Sequence, residues 1–314
     1  MKFLPAYLSL SEREFSERIE RLFKILENCE LCPRRCHKNR LKGEKGFCRS
    51  TIKLMVYSYH PHFGEEEPLV GRSISLFIAD RFGVSLRGGS GTIFFTNCNL
   101  GCVYCQNYEI SHLGIGQEVS IERLAEMMIE LQNRGCHNIN FVSPTHFTPQ
   151  IVKAVYLATK KGLKLPLVWN CGGYENVEVI KILDGIIDIY MPDLKYSDSE
   201  PARKYSDAPD YFEQAKQAIK EMHRQVGDLK LDDRGIAQRG LLIRHLVLPN
   251  NLAGSQKVLE FIAKEISVNS YVNIMSQYRA CGQAFKYPEL NDSIASDYQK
   301  AIKLAKELGL TRGI

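Results

Sequence analysis

From residue 91 onward, short β-branched or aromatic runs alternate with amphipathic helical repeats, and this alternation limits the fold more than any other feature. Strand patterns fall at 91–96, 138–142, 165–169, 186–190, 241–248 and 271–275, and helical patterns at 120–134, 148–161, 175–183, 211–225, 255–266 and 292–308. The boundaries carry their own chemistry. Ser120 precedes a stripe of Ile121, Leu124, Met128 and Leu131 that stops at Gly135, and Thr148-Pro149 opens a helix that Gly162 closes. Strand–helix units in a row imply a parallel sheet covered by helices, so the class is α/β and the architecture a (β/α)6 TIM-like barrel, partial (open) or closed. No G-x-G-x-x-G follows a strand and no P-loop is present, which argues against a dinucleotide or nucleoside triphosphate site.

Gly88-Gly89-Ser90-Gly91 reads as a hinge that divides an N-terminal extension, 1–87, from the barrel, 88–314. The extension opens with a helix at 11–27. Ser11 and Glu14 have capping-box spacing, and Phe15, Ile19, Leu22, Phe23 and Leu26 form one apolar face that must dock on the main domain. Cys29-x2-Cys32-x3-Cys36-x11-Cys48 follows on glycine-rich loops, a set that closes a tetrahedral zinc site or holds an iron–sulfur cluster. Eight cations lie between Arg34 and Lys53, with only Glu44 against them, and are read as the solvated surface of a small module. Strands are expected at 53–59 and 73–79. Between them, His60, His62, Glu65, Glu66 and Glu67 are read as surface charge and turn chemistry, with metal binding as the alternative.

Ten cysteines in 314 residues, mostly clustered, indicate metal ligands in a reducing compartment rather than disulfides. The sharpest cluster, Cys98-x3-Cys102-x2-Cys105, follows the first barrel strand. Cys136, Cys171 and Cys281 stand alone and are read as small buried hydrophobes. Ligands of α/β sheets bind beyond the carboxyl ends of the strands. There the later strands bring Ser143-Pro144-Thr145-His146, Asn170-Cys171, Asp193 with Lys195, Arg244-His245 and Ser276-Gln277. Side chains alternate along a strand, so only one of Arg244 and His245 points inward. An inward Arg244 needs a bound carboxylate or a partner such as Asp193.

These segments resemble the activating-enzyme branch of the radical S-adenosylmethionine superfamily, and most closely the pyruvate formate-lyase activating enzyme-like (PflX-type) iron–sulfur proteins. The likeness runs from Cys29 to about residue 290. It is carried by Cys-Glu-Leu-Cys-Pro-Arg-Arg-Cys at 29–36, Gly-Thr-Ile-Phe-Phe at 91–95, the three-cysteine motif, Ser-Pro-Thr-His at 143–146, Asp-Ile-Tyr-Met-Pro-Asp-Leu-Lys-Tyr at 188–196 and Arg-His-Leu-Val-Leu-Pro at 244–249. The resemblance implies a [4Fe–4S] cluster on Cys98, Cys102 and Cys105, whose fourth iron binds S-adenosylmethionine. It further implies a one-electron donor such as reduced flavodoxin or ferredoxin, and a 5′-deoxyadenosyl radical that takes hydrogen from a substrate. Asp193 and Lys195 match a cofactor-lining Asp-x-Lys, and Arg244 matches an arginine that pairs with the methionine carboxylate. Two positions depart from the pattern. Asn170 stands where activating enzymes often carry Asp, and Ser143-Pro144-Thr145 replaces a Gly-Gly-Glu-like segment, leaving the Thr145 hydroxyl as the contact there.

The leading expectation is therefore a radical S-adenosylmethionine oxidoreductase acting on a protein, with glycyl-radical formation as the model reaction. An RNA-modifying enzyme is the alternative that the basic Cys29–Lys53 module suggests, and a non-enzymatic iron–sulfur electron carrier is the other. No apolar run reaches bilayer length, and Pro5, Glu12 and Glu14 interrupt the apolar start, so neither a membrane span nor a signal peptide is read and a cytoplasmic location is expected.

Overall fold

The computed structural model describes residues 3–71 and 88–314, so the expected strand at 73–79 lies outside the described residues. Nine strands form one connected sheet: β1 Leu54–His62, β2 Ser90–Phe95, β3 Gln117–Val119, β4 Ile139–Val142, β5 Leu167–Cys171, β6 Ile189–Pro192, β7 Lys230–Leu231, β8 Ala237–Leu246 and β9 Tyr271–Met275. Six of them run parallel in the order β2-β4-β5-β6-β8-β9. This is the expected (β/α)6 set, and the sheet is not closed. β1 pairs antiparallel with β2 on one side and β3 on the other, so chain preceding Gly88 contributes to the same sheet. Gly88 and Gly89 adopt φ of 119° and 79°, the left-handed turn their sequence predicts.

The central strands β2, β4, β5 and β6 are buried on both faces, and the helices that cover them bury one stripe each. Leu124, Met128 and Leu131 of the helix Ile121–Asn133 and Ile151, Val155 and Ala158 of the helix Thr148–Lys160 are buried side chains of this layer. The N-terminal helix spans Glu12–Ile25 and has the predicted capping box. Its Phe15 ring meets Tyr156 at 5.3 Å. Just ahead of it, Tyr7 Oη donates to the Leu165 carbonyl at 2.9 Å, and the Ala6 amide donates to Asp188 Oδ1 at 2.8 Å.

Element bounds shift by a few residues throughout, and three differences stand out. The strand expected at 186–190 begins at Ile189, because the Ile186 amide still closes a turn on the Leu183 carbonyl. The helix expected at 255–266 is α-helical only over Ser255–Phe261 and continues as a π-turn, Ile262–Ile266. The helix Ser199–Ser206 was not anticipated, since it buries only Ala202, Tyr205 and Ser206.

Candidate functional site

A cavity of about 420 Å³ opens at the carboxyl ends of the parallel strands. Each strand delivers a polar or sulfur group to it: Cys98, Cys102 and Cys105 after β2, Ser143 after β4, Asn170 and Cys171 from β5, Asp193 and Lys195 after β6, Arg244 from β8 and Gln277 after β9. The fold thus brings together seven of the eight expected barrel site residues, Cys98, Cys102, Cys105, Asn170, Asp193, Lys195 and Arg244. Thr145 is the exception. It is buried outside the cavity lining, and its hydroxyl donates to Glu175 Oε1 at 2.5 Å. Ser143, held at φ 56°, takes the lining position instead.

Every sulfur of the motif has a donor aimed at it. The Leu100 amide reaches Cys98 Sγ at 3.4 Å, Ser206 Oγ reaches Cys102 Sγ at 2.9 Å, and Ser111 Oγ reaches Cys105 Sγ at 3.1 Å. Behind Ser206 stands a buried hydroxyl relay. Tyr104 donates to Tyr196 at 2.5 Å, and Tyr196 lies 2.8 Å from Ser206. Ser206 has one proton and gives it to sulfur, so Tyr196 must donate to Ser206. Such chains polarise one another and strengthen the terminal bond. Burial pushes the Cys98 thiol up to about 12, against which Lys195 favours the thiolate. Burial likewise raises Cys102, opposed first by Lys195. Bare thiols are therefore held protonated, and a metal that deprotonates them is the natural complement to the waiting donors.

The opposite wall is ionic. Arg244 Nε donates to Asp193 Oδ1 at 2.9 Å, Arg244 Nη2 donates to Asn170 Oδ1 at 2.7 Å, and Lys195 Nζ donates to Asp193 Oδ2 at 2.6 Å. Burial alone would raise the Asp193 pKa, but the charges of Arg244 and Lys195 outweigh it and hold it below the usual value. Arg244 points inward and His245 outward, as strand alternation requires. The His245 Nδ1–H donates to the Leu194 carbonyl at 2.6 Å, and its Nε2 accepts from Ser255 Oγ at 2.9 Å.

The reading of Glu65 and Glu66 as surface charge is corrected. Their side chains are only 8% and 7% exposed and lie 4.0 and 3.8 Å from Arg244 Nη1. Asn273 of β9 donates to Glu66 Oε1 at 3.1 Å, so the turn after β1 reaches the last strand. Burial raises Glu65 to about 7, with the Arg244 charge opposing it. The adjacent His60-Pro61-His62 is strand rather than turn, and His62 joins the cavity lining. The reading of the basic run as solvated surface is corrected in part, because Arg34, Arg40 and Arg49 all donate to backbone carbonyls inside the fold. Of the single cysteines, Cys136 and Cys171 are buried as expected and Cys281 is partly exposed. Ser111 and Ser206 beside the motif sulfurs were not singled out in the sequence, whereas Glu65 and Glu66 were named there but read as surface charge. Only the two glutamates had a signal, their place beside the His-Pro-His segment.

Among the described residues no three His, Cys, Asp or Glu side chains converge tightly enough for a single metal ion. A cubane cluster makes a different demand, since each thiolate takes its own iron. Three thiols around one cavity, each with a hydrogen-bond donor, fit that demand. Cys98, Cys102 and Cys105 would hold three irons of such a cluster and leave one without a ligand from this motif.

Three thiols and an ionic wall thus face one cavity at the carboxyl ends of an open parallel barrel. The chain belongs to the radical SAM superfamily, whose profile matches residues 92–231. It is 32% identical over 305 residues to the uncharacterized protein MJ0674 of Methanocaldococcus jannaschii, covering 93% of this chain and 78% of that protein. A second protein of that organism, MJ0808, is 26% identical over 175 residues, covering 53% of this chain and 49% of that one. Among solved structures, a radical SAM methyltransferase from Sphaerobacter thermophilus is similar with a TM-score of 0.49 and 12% identity, over 70% of this chain and 64% of that one, so this chain spans just under two thirds of its length. HydG, a maturase of the [FeFe]-hydrogenase, is similar with a TM-score of 0.47 and 11% identity, over 97% of this chain and 62% of that one. S-adenosylmethionine and a [4Fe–4S] cluster are the cofactors that membership supports.

Proposed function

We propose that this chain is an activating-enzyme-like radical SAM oxidoreductase of the PflX type that takes a hydrogen atom from a protein substrate, with a reduced flavodoxin or ferredoxin as electron donor. The observation that carries this reading is the facing arrangement of three donor-supplied thiols and the Asn170–Arg244–Asp193–Lys195 network across one cavity. When bound, the cluster and S-adenosylmethionine supply one-electron cleavage of a carbon–sulfur bond and, from it, a hydrogen-abstracting 5′-deoxyadenosyl radical.

The protein's part is binding, orientation and electrostatics. Cys98, Cys102 and Cys105 would hold three irons. The donors from Leu100, Ser206 and Ser111 stabilise added negative charge on the sulfurs and so favour reduction. The Arg244 guanidinium suits a methionine carboxylate by its planar fork. Asp193, Glu65 and Glu66 offer acceptors to an ammonium group, and Ser143 offers a hydroxyl near the first strand ends. Burial of this wall strengthens each contact by lowering the local dielectric.

The RNA-modifying alternative draws less support, because Arg34, Arg40 and Arg49 of the basic module are engaged internally and leave a smaller phosphate-binding face. A protein substrate is tested by capturing proteins from native cells under anaerobic conditions, after growth on deuterated glycine. Deuterium in the 5′-deoxyadenosine made with a captured protein supports glycyl-radical formation. Product free of deuterium in the presence of every captured protein contradicts it.

A further inference from the structure

Glu65 and Glu66 line the cavity with side chains that are more than nine-tenths buried. Glu66 Oε1 accepts from Asn273 Nδ2 at 3.1 Å, but among the described residues Glu66 Oε2 has no hydrogen-bond partner. Asn140 is fully buried beside Glu65, and among the described residues neither its Oδ1 nor its Nδ2 is partnered. Arg244 does not close this gap. Its Nε and Nη2 donate to Asp193 and Asn170, and its Nη1 stays 4.0 and 3.8 Å from the two glutamates, outside hydrogen-bond range. Lys195 donates to Asp193 as well. Three carboxylates thus share two cations, and burial pushes Glu65 up to about 7 with only the Arg244 charge opposing it strongly.

Strand register places these groups at the base of the cavity. Asn140 on β4 precedes Val142 by two residues, and Val142 pairs with Asn170. Side chains two apart on a strand share a face at a spacing of about 7 Å, so Asn140 lies one inward layer beneath Asn170 and the ionic wall. Asn140 itself pairs with Val168, which packs in an apolar cluster with Ile189, Leu242 and Leu69 of the helix Glu67–Val70. The segment from Glu65 to Val70 therefore fills the barrel from below, and it is tied on both sides. Asn138 Nδ2, just ahead of β4, donates to the Leu69 carbonyl at 2.9 Å, and Asn273 of β9 holds Glu66. Leu246 stands two residues past Arg244 and Met275 two residues past Asn273, and both line the cavity above the carboxylates. The pocket is thus apolar along one side and acidic at its base. Among the described residues Glu66 Oε2, the Glu65 carboxylate and Asn140 Oδ1 are its unused acceptors.

We infer that this base binds the ammonium group of a lysyl side chain presented by the protein substrate, with Leu246 and Met275 along its methylenes. Ammonium has three protons to give and no acceptor, which matches three unused acceptors, whereas guanidinium spreads five N–H groups in a planar fork. A lysine stem is apolar and only its tip is charged, as the pocket is apolar above and acidic below. The lysine is an anchor, and it also supplies the positive charge that the three carboxylates lack. This names a feature of the substrate and so rests on the proposed hydrogen abstraction from a protein. It takes the ammonium accepted by Glu65 and Glu66 to be the substrate's, because the thiols that would hold the cluster follow β2, on the other side of the ionic wall from Asn140.

Binding without turnover tests it. The full chain, reconstituted anaerobically, left oxidised and saturated with S-adenosylmethionine, is titrated calorimetrically with Nα-acetyl-lysine amide, Nα-acetyl-norleucine amide and Nα-acetyl-arginine amide. The lysine probe should bind roughly tenfold more tightly than either of the others, the worth of one charge-assisted hydrogen bond. Glu65→Gln and Glu66→Gln should each remove that preference and leave the affinity for the norleucine probe as it was. Should either variant fail to fold, Asn140→Leu, which removes the third acceptor, is read the same way. Lysine and norleucine probes that bind alike, an arginine probe that binds best, or a lysine preference that survives the substitutions overturns the proposal. Formation of 5′-deoxyadenosine on reduction is measured separately. Its absence from a chain that prefers the lysine probe counts against the radical chemistry and not against this pocket. Its presence in a chain without that preference counts against the pocket alone.

Discussion

At the scale of single residues, the site depends on hydroxyls no motif announces. Ser206 donates to Cys102 Sγ and is itself backed by Tyr196 and Tyr104. Ser206→Ala should leave the cluster on Cys98, Cys102 and Cys105 bound and lower its reduction potential by tens of millivolts. A charge-assisted bond of about 1.5 kcal/mol corresponds to roughly 60 mV for one electron. A redox titration followed by electron paramagnetic resonance reads this, and an unchanged potential counts against the relay. Arg244→Lys keeps the charge near Asp193 but loses the fork. S-adenosylmethionine affinity should fall by about 1–3 kcal/mol, roughly 5- to 150-fold, measured by equilibrium binding to the reconstituted protein. Glu175 gives a pH signature. Burial raises its pKa from 4.5 to about 8. The folded state therefore keeps a proton that the unfolded state releases, and stability falls as pH rises from about 4.5 to about 8. Glu175→Gln should make that slope shallower in denaturant titrations at stepped pH, with Glu65 and Asp188, both raised by burial to about 7, supplying the remainder; a slope unchanged by the substitution contradicts the assignment.

At the scale of elements, periodicity served well where one face is apolar and poorly where function rather than burial sets the sequence. The N-terminal helix was legible because its capping box and its Phe15–Leu22 face are local signals. Ser11→Ala should remove one cap and destabilise the docked helix by about 1 kcal/mol in denaturant titration. The helix Ser199–Ser206 was not legible, since its charged surface hides three inward positions, and one of those is the serine beneath Cys102. The Glu65–Glu66 turn was misread for a related reason. Acidic residues after a strand look solvated until a distant cation, Arg244 on β8, is brought within 4.0 Å by the fold. Sequence separation of that order leaves no local trace. Thr145 shows the converse. The residue type was right for a ligand contact, but the turn at Ser143 directs it to Glu175 instead.

At the scale of the whole molecule, the order β2-β4-β5-β6-β8-β9 follows from the alternation of patterns, because a parallel sheet with covering helices is what that alternation builds. The convergence of Cys98, Asn170, Asp193 and Arg244 then follows from the carboxyl-end rule, without any contact being known beforehand. What the rule does not give is depth, as Glu65 and Glu66 beside Arg244 show. Among the described residues no helix is long and apolar enough to cross a membrane. The central claim is that this barrel places an S-adenosylmethionine molecule against a cluster on Cys98, Cys102 and Cys105. It is tested most directly by 5′-deoxyadenosine formation from S-adenosylmethionine after anaerobic reconstitution and reduction. The account predicts 5′-deoxyadenosine from the wild-type chain and none from Cys102→Ala. A wild-type chain that makes none, or a Cys102→Ala variant that makes as much, would contradict it.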